Sequence, residues 1–240
     1  MALSLIALNL ISAAHSESGS QAMPDYVAQR FNMVESQVRT SDVPDGRIQA
    51  AMLEVPRDRF VPALKRALAY AETAVEIVPG RFLIEPRTLA KLLLLAELKA
   101  GDSALVIGAG TGYSAAVLGK IVATVTALES DVDMVRAANE LFRSLGAKNV
   151  QVVQGALCDG FKPSAPYNVI LIDAGVEEVP EAVVAQLAEG GRLVAVVMSN
   201  NNLGQAHIFV RNGRNIGERR DFDAMAPVLP GFRKTKSFVF

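Results

Sequence analysis

Apolar residues recur at three- and four-residue spacing over residues 24–40, "PDYVAQRFNMVESQVRT", and again over 44–55, "PDGRIQAAMLEV". That period lines one face of a helix and predicts two amphipathic helices, the second with Asp42 as a cap and Pro44 early in its first turn. Prolines interrupt residues 56–85, so this stretch is expected to be irregular. A helix is predicted from Pro86 to Leu98, closed by Ala100-Gly101. Beyond it the rhythm changes. Strand-like apolar runs at 103–108, 123–129, 149–155, 167–175 and 192–198 are separated by helical patterns at 112–121, 131–145 and 179–191. This alternation predicts an α/β fold with a doubly wound, mostly parallel sheet covered on both faces. The tail departs from it: Asn212-Gly213 between two strand-like runs signals an antiparallel hairpin, and "SFVF" at 237–240 is a candidate further strand beside it.

Composition narrows the function classes. The 240 residues carry 24 Lys and Arg against 25 Asp and Glu, a net charge of -1, which gives no general drive towards nucleic acid or an anionic membrane. The arginines of "RNGRNIGERR" (211–220) are read as a solvated hairpin rather than a basic patch. Cys158 is the only cysteine, and His15 and His207 are the only histidines. An internal disulfide is thereby excluded, no metal site is expected, and a reducing cytoplasmic compartment fits best. The apolar opening "MALSLIALNLISAA" lacks the basic start of a signal peptide and is too short to span a bilayer. An upstream or misassigned start and a signal peptide are the two readings of it. The expected organisation is an extension at 1–22, a helical and substrate-loop region at 23–100, and a core at 101–240 that forms one compact domain with 23–100.

The stretch "LVIGAGTGYSAAVL" carries the chemical signal. Gly108, Gly110 and Gly112 follow the first strand of the alternating region, at the sheet edge where doubly wound folds bind ligands. Glycine lets a ligand approach the backbone without meeting a Cβ. The spacing is G-x-G-x-G, with Tyr113 where a dinucleotide fingerprint would hold its third glycine. Glu129 ends the next strand, placed to accept hydrogen bonds from both hydroxyls of a ribose. Binding of an adenosine cofactor and a purely structural turn are both compatible with the glycines alone; the acid and the βα rhythm favour the cofactor.

The glycine spacing resembles the first motif of S-adenosylmethionine-dependent methyltransferases. The flanking segments "MVESQVRTSDVPDGRIQAAMLEVPRDRFVP", "APYNVILIDAG" and "VPEAVVAQLAEGGRLVAVV" resemble the protein-L-isoaspartate O-methyltransferases, from about Met33 to Val197. The resemblance implies a Rossmann-like class I methyltransferase fold with a seven-stranded sheet. It also implies S-adenosylmethionine as cofactor, a protein or peptide carboxylate as substrate, and a role in protein repair. Cofactor contacts would come from Gly108, Ala109, Gly110, Gly112, Glu129, Ala156, Leu157 and Asp173. Methylating a carboxylate that is already ionised needs positioning and exclusion of water rather than a metal or a strong base.

The chain also departs from the family pattern. Where the family carries a segment resembling G-Q-T-I-S-x-P, this chain has "GRFLIEP". Arg81 then replaces Gln, Phe82 replaces Thr, and Ile84 replaces the serine implicated in catalysis, leaving the catalytic residue unassigned. Glu85 adds a charge that either repels a substrate carboxylate or pairs with Arg81 or Arg87. Val106 stands where an acid usually precedes the I-G, Ala156 and Leu157 replace the D-G of G-D-G with Asp159 nearby, and Asp173 takes a threonine position. Two readings follow: a methyltransferase with doubtful isoaspartyl activity acting on a peptide or small acceptor, or a non-catalytic descendant serving as a binding module. The sequence is silent on oligomeric state.

Overall fold

The computed structural model describes residues 25–199 and 203–234, so the 1–22 extension and the candidate strand at 237–240 lie outside the described residues. Helix α1, Tyr26–Met33, opens at Asp25, whose carboxylate accepts from the N–H groups of Val27 and Ala28. The chain continues through a wider π turn at Val34–Val38 and a tighter turn at Arg39–Ser41, then leaves the helical path at Asp42 with φ 57°. Asp42 therefore closes the first helical segment rather than opening the second. Helix α2, Gly46–Glu54, is capped by Asp45 through the Arg47 N–H at 2.9 Å, with Pro44 standing ahead of the cap.

The stretch expected to be irregular holds an antiparallel hairpin, β1 (Val75–Val78) and β2 (Arg81–Leu83), with Val75 opposite Leu83 and Glu76 opposite Phe82. Pro79-Gly80 forms its turn, where a proline costs no ladder bond and Gly80 takes φ 76°. Helix α3, Pro86–Leu95, stops three residues before the predicted end.

The main sheet then builds in order. Strand β3 is Ser103–Ile107, followed by α4 (Tyr113–Leu118), β4 (Thr124–Glu129), α5 (Val132–Ser144) and β5 (Val150–Gln154). Strand β6 (Tyr167–Val176), α6 (Glu181–Val184), β7 (Leu187–Met198), β8 (Gly204–Asn212) and β9 (Asn215–Asp223) complete it. The seven strands lie in the order β5-β4-β3-β6-β7-β8-β9, parallel up to β7 and antiparallel in the last two pairs. Two predicted bounds change. The helix expected over 179–191 is the single turn α6, because Leu187 already pairs with Tyr167 in the sheet. The β8–β9 turn is Gly213-Arg214, one residue later than Asn212-Gly213, since Asn212 pairs with Asn215.

β4 and β6 flank β3 on opposite sides, so the strand order reverses at β3 and a crevice opens beyond its C-terminal end. Both faces of the central strands are covered. One buried cluster joins Met33, Ile48, Leu89 and Tyr113 to Val106 and Leu171; a second on the opposite face centres on Leu105, Ile170 and Leu193. Among the described residues no helix is long and apolar enough to cross a membrane.

Candidate functional site

Gly108, Ala109, Gly110, Gly112 and Glu129 meet at the β3–β4 edge. Glycine permits the φ of 74° at Gly108 and 58° at Gly110, which turn the chain sharply into α4. The N–H groups of Gly108 and Ala109 both donate to the carbonyl of Leu128, at 3.0 and 3.1 Å, and that of Gly112 donates to Ala109. The Gly110 N–H donates to Glu129 Oε2 at 2.8 Å. These amides are spent inside the loop, so the turn is no phosphate cradle. This agrees with the spacing argument against a dinucleotide.

Glu129 is fully buried and is the centre of the site. Its Oε1 accepts from the Ser130 and Asp131 N–H groups at 2.7 and 3.0 Å. The guanidinium of Arg81 then grips both oxygens, Nη1 to Oε1 at 2.7 Å and Nη2 to Oε2 at 2.5 Å. Burial alone would push the Glu129 carboxyl upward, but the Arg81 hydrogen bonds and charge outweigh it and hold the group below its ordinary value. A carboxylate has about four lone-pair sites, and five N–H donors fill them.

Arg81, in the segment expected as a substrate loop, opens β2 and brings its guanidinium beside the glycine turn. Its Nη2 is 3.6 Å from where a Cβ on Gly108 would sit. The residues around it close the rest of the space. The Cδ2 of Leu229 is 2.9 Å from that Gly108 position, and the Cδ1 of Ile77 is 2.7 Å from the matching position on Gly110. The cavity left among Arg81, Phe82, Ile84, Asp173, Ala174 and Leu229 is about 10 Å³, where ligand pockets are roughly 300–1,000 Å³. In this conformation Leu229 and Ile77 cover Gly108 and Gly110, and Arg81 occupies both oxygens of Glu129.

The other nominated residues divide. Ile84 is 2 % exposed, its carbonyl accepts from the buried Arg57 at 2.7 Å, and it lines the small cavity shared with Arg81 and Asp173. Phe82 is partly buried against the same small cavity. Glu85 pairs with Arg87 at 3.4 Å and accepts from the Thr88 hydroxyl at 3.1 Å, which answers the choice between its two arginines. It borders an open groove of about 720 Å³ that runs past Met198, His207 and Met225. Val106 is wholly buried in β3; Leu157 is buried, while Ala156 and Asp159 are exposed on the turn after β5. Ile77, Leu229 and Arg57 were not nominated. They are ordinary apolar or basic residues in the sequence, and only the fold brings them to the loop.

Asp173, three residues before the end of β6, is 2 % exposed, and its Oδ1 has no hydrogen-bond partner among the described residues. Burial pushes its carboxyl up to about 7, against the opposing pull of the Ser114 hydrogen bond and of the Arg57 and Arg81 charges. A folded value above the unfolded one means that stability is fully present below about pH 4 and is lost as pH rises to about 7. Asp173→Asn is therefore expected to raise the melting temperature at pH 8 and to change it far less at pH 5. The full penalty relieved is on the order of 4 kcal/mol. Thermal melts at the two pH values check it; equal shifts would show that Asp173 is ionised throughout.

The sheet order, the glycine turn and the acid closing β4 define a Rossmann-like class I methyltransferase fold. The chain belongs to the protein-L-isoaspartate(D-aspartate) O-methyltransferase family, whose model matches residues 29–223. The protein-L-isoaspartate O-methyltransferase 1 of Rhodopseudomonas palustris (strain HaA2) is 39% identical over 186 residues, covering 75% of this chain and 76% of that one. A solved protein-L-isoaspartate O-methyltransferase superposes with a TM-score of 0.75 at 25% identity, over 84% of this chain and 66% of that one. A Plasmodium falciparum structure described as a protein-L-isoaspartate O-methyltransferase in complex with S-adenosyl-L-homocysteine shares the fold, with a TM-score of 0.70 at 22% identity over 86% and 99% of the two chains.

Proposed function

We propose that the chain is an S-adenosylmethionine-dependent O-methyltransferase of this family that transfers to a carboxylate on a peptide or a smaller acceptor, and that standard isoaspartyl peptides are poor substrates. The observation that carries the reading is the convergence of the glycine turn on Glu129, with the Gly110 N–H on its carboxylate, at the point where the strand order reverses. When an adenosine cofactor is present, Glu129 is the acceptor for its ribose hydroxyls, and the cofactor approaches over Gly108 and Gly110 once Leu229 and Ile77 have rotated away. The remaining cofactor contacts would come from Ala156 and Leu157 on the turn after β5 and from Asp173 in β6. Family membership supports the cofactor and the reaction class. The changes in "GRFLIEP" support the altered acceptor.

The test is incubation of the full chain with methyl-labelled S-adenosylmethionine and a panel of protein and small-molecule carboxylates. Label that is released as methanol by mild base marks a methyl ester and supports the proposal. Base-stable label would move the acceptor to nitrogen or carbon. No transfer to any acceptor, by protein shown to bind S-adenosylhomocysteine, would favour the non-catalytic binding module.

A further inference from the structure

The closed cleft has a specific occupant. Two parallel N–H donors from Arg81 reach the two Glu129 oxygens at 2.7 and 2.5 Å, the same pattern of paired donors that a ribose diol presents. We propose that Arg81 is a built-in competitor for the ribose subsite, and that an adenosine ligand enters only when the guanidinium moves from Glu129 to Asp173. The inference rests on the cofactor reading above and adds the regulation of that site.

Three observations carry it. First, the donor count at Glu129 is complete: Gly110, Ser130 and Asp131 supply backbone N–H groups and Arg81 supplies the rest, so a diol gains no acceptor while Arg81 stays. Second, the other obstructions yield more readily. What overhangs Gly108 and Gly110 are the terminal methyl groups of Leu229 and Ile77, which clear by rotation, whereas Arg81 must break a bidentate, desolvated ion pair. Ile77 and Arg81 also belong to one element, the β1–β2 hairpin, and a lone two-stranded hairpin has little stability of its own. Third, the displaced charge has a destination. Asp173 borders the same small cavity as Arg81, is buried, and carries an oxygen with no partner among the described residues. A guanidinium arriving there satisfies an acceptor that the closed state leaves unpaired.

A site whose competent conformer is a minor one binds more weakly by that conformer's fraction. Calorimetry with S-adenosylhomocysteine on the full chain, Arg81→Gln, Asp173→Asn and the double variant tests this. Arg81→Gln is expected to bind at least about tenfold tighter than the unmodified chain. Asp173→Asn is expected to weaken binding several-fold more when Arg81 is present than when it is not. Arg81→Met, which keeps much of the aliphatic volume without the charge, repeats the first arm if the glutamine variant is unstable, with near-ultraviolet circular dichroism reporting the fold. Equal affinity of the unmodified chain and the folded Arg81 variants overturns the competitor and leaves the cofactor reading intact. An effect of Asp173→Asn that is equally large without Arg81 overturns the two-position movement. Failure of every folded variant to bind overturns the competitor and the cofactor reading together.

Discussion

Replacing Glu129 with alanine is expected to remove about 3–5 kcal/mol of stability, because it leaves Arg81 buried without its counter-charge. In a chain of this size that is a fall in melting temperature of roughly 6–20 °C. Arg81 is only 8 % exposed, so water cannot replace the carboxylate without rearrangement. The N–H groups of Gly110, Ser130 and Asp131 lose their acceptor at the same time. The reciprocal change is milder. Arg81→Gln leaves Glu129 with those three backbone donors, so its carboxylate stays solvated by the protein. Denaturant or thermal unfolding of both variants gives the ordering, with Glu129→Ala the more damaging. A loss below about 1 kcal/mol for Glu129→Ala would mean that the pair is exposed and exchanging with water in solution.

Standard isoaspartyl peptides are expected to be methylated at least about 100-fold more slowly than by a typical member of the family. Arg81 holds the cleft closed, and Phe82 lines its rim where the family carries a threonine. A peptide backbone group buried against Phe82 without a partner costs about 1–3 kcal/mol, and two such groups account for the deficit. The position of Ile84 decides which variant tests this. Ile84 is 2 % exposed, so Ile84→Ser would bury a hydroxyl and confound a change in turnover with a loss of stability. Arg81→Gln combined with Phe82→Thr is the informative pair. Kinetic assay with a labelled cofactor and a synthetic isoaspartyl peptide should show turnover rising in that double variant. Family-like turnover by the unmodified chain would remove "GRFLIEP" as a determinant of specificity.

The sheet was legible because its strands are short β-branched runs separated by helices with clear caps, as at Asp131, whose carboxylate accepts from the Asp133 and Met134 N–H groups. The approach of the glycine turn to Glu129 was legible because closely spaced glycines after a strand mark a tight strand-to-helix turn and the acid closes the neighbouring parallel strand. The hairpin at 75–83 was not, since Pro79 reads as a breaker and only the pairing of Val75 with Leu83 shows that it marks a turn. The helix over 179–191 failed because sheet pairing at Leu187 overrides a helical pattern of apolar residues. Arg81 illustrates the harder limit. Its partner lies 48 residues away, and nothing local distinguishes an arginine that reaches into a cleft from one that faces solvent. The apolar neighbours in "IVPGRFLIEP" are the one trace of its burial, and they do not name the acceptor.

The most direct measurement is a crystal structure of the Arg81→Gln variant with S-adenosylhomocysteine. Both ribose hydroxyls should lie within about 3.2 Å of the Glu129 carboxylate, with Ile77 and Leu229 rotated away from Gly110 and Gly108. A ligand found elsewhere, such as the 600 Å³ groove beside Thr111 and Met134, with Glu129 still enclosed by its own chain, would contradict the assignment of the glycine turn and Glu129 as the cofactor site.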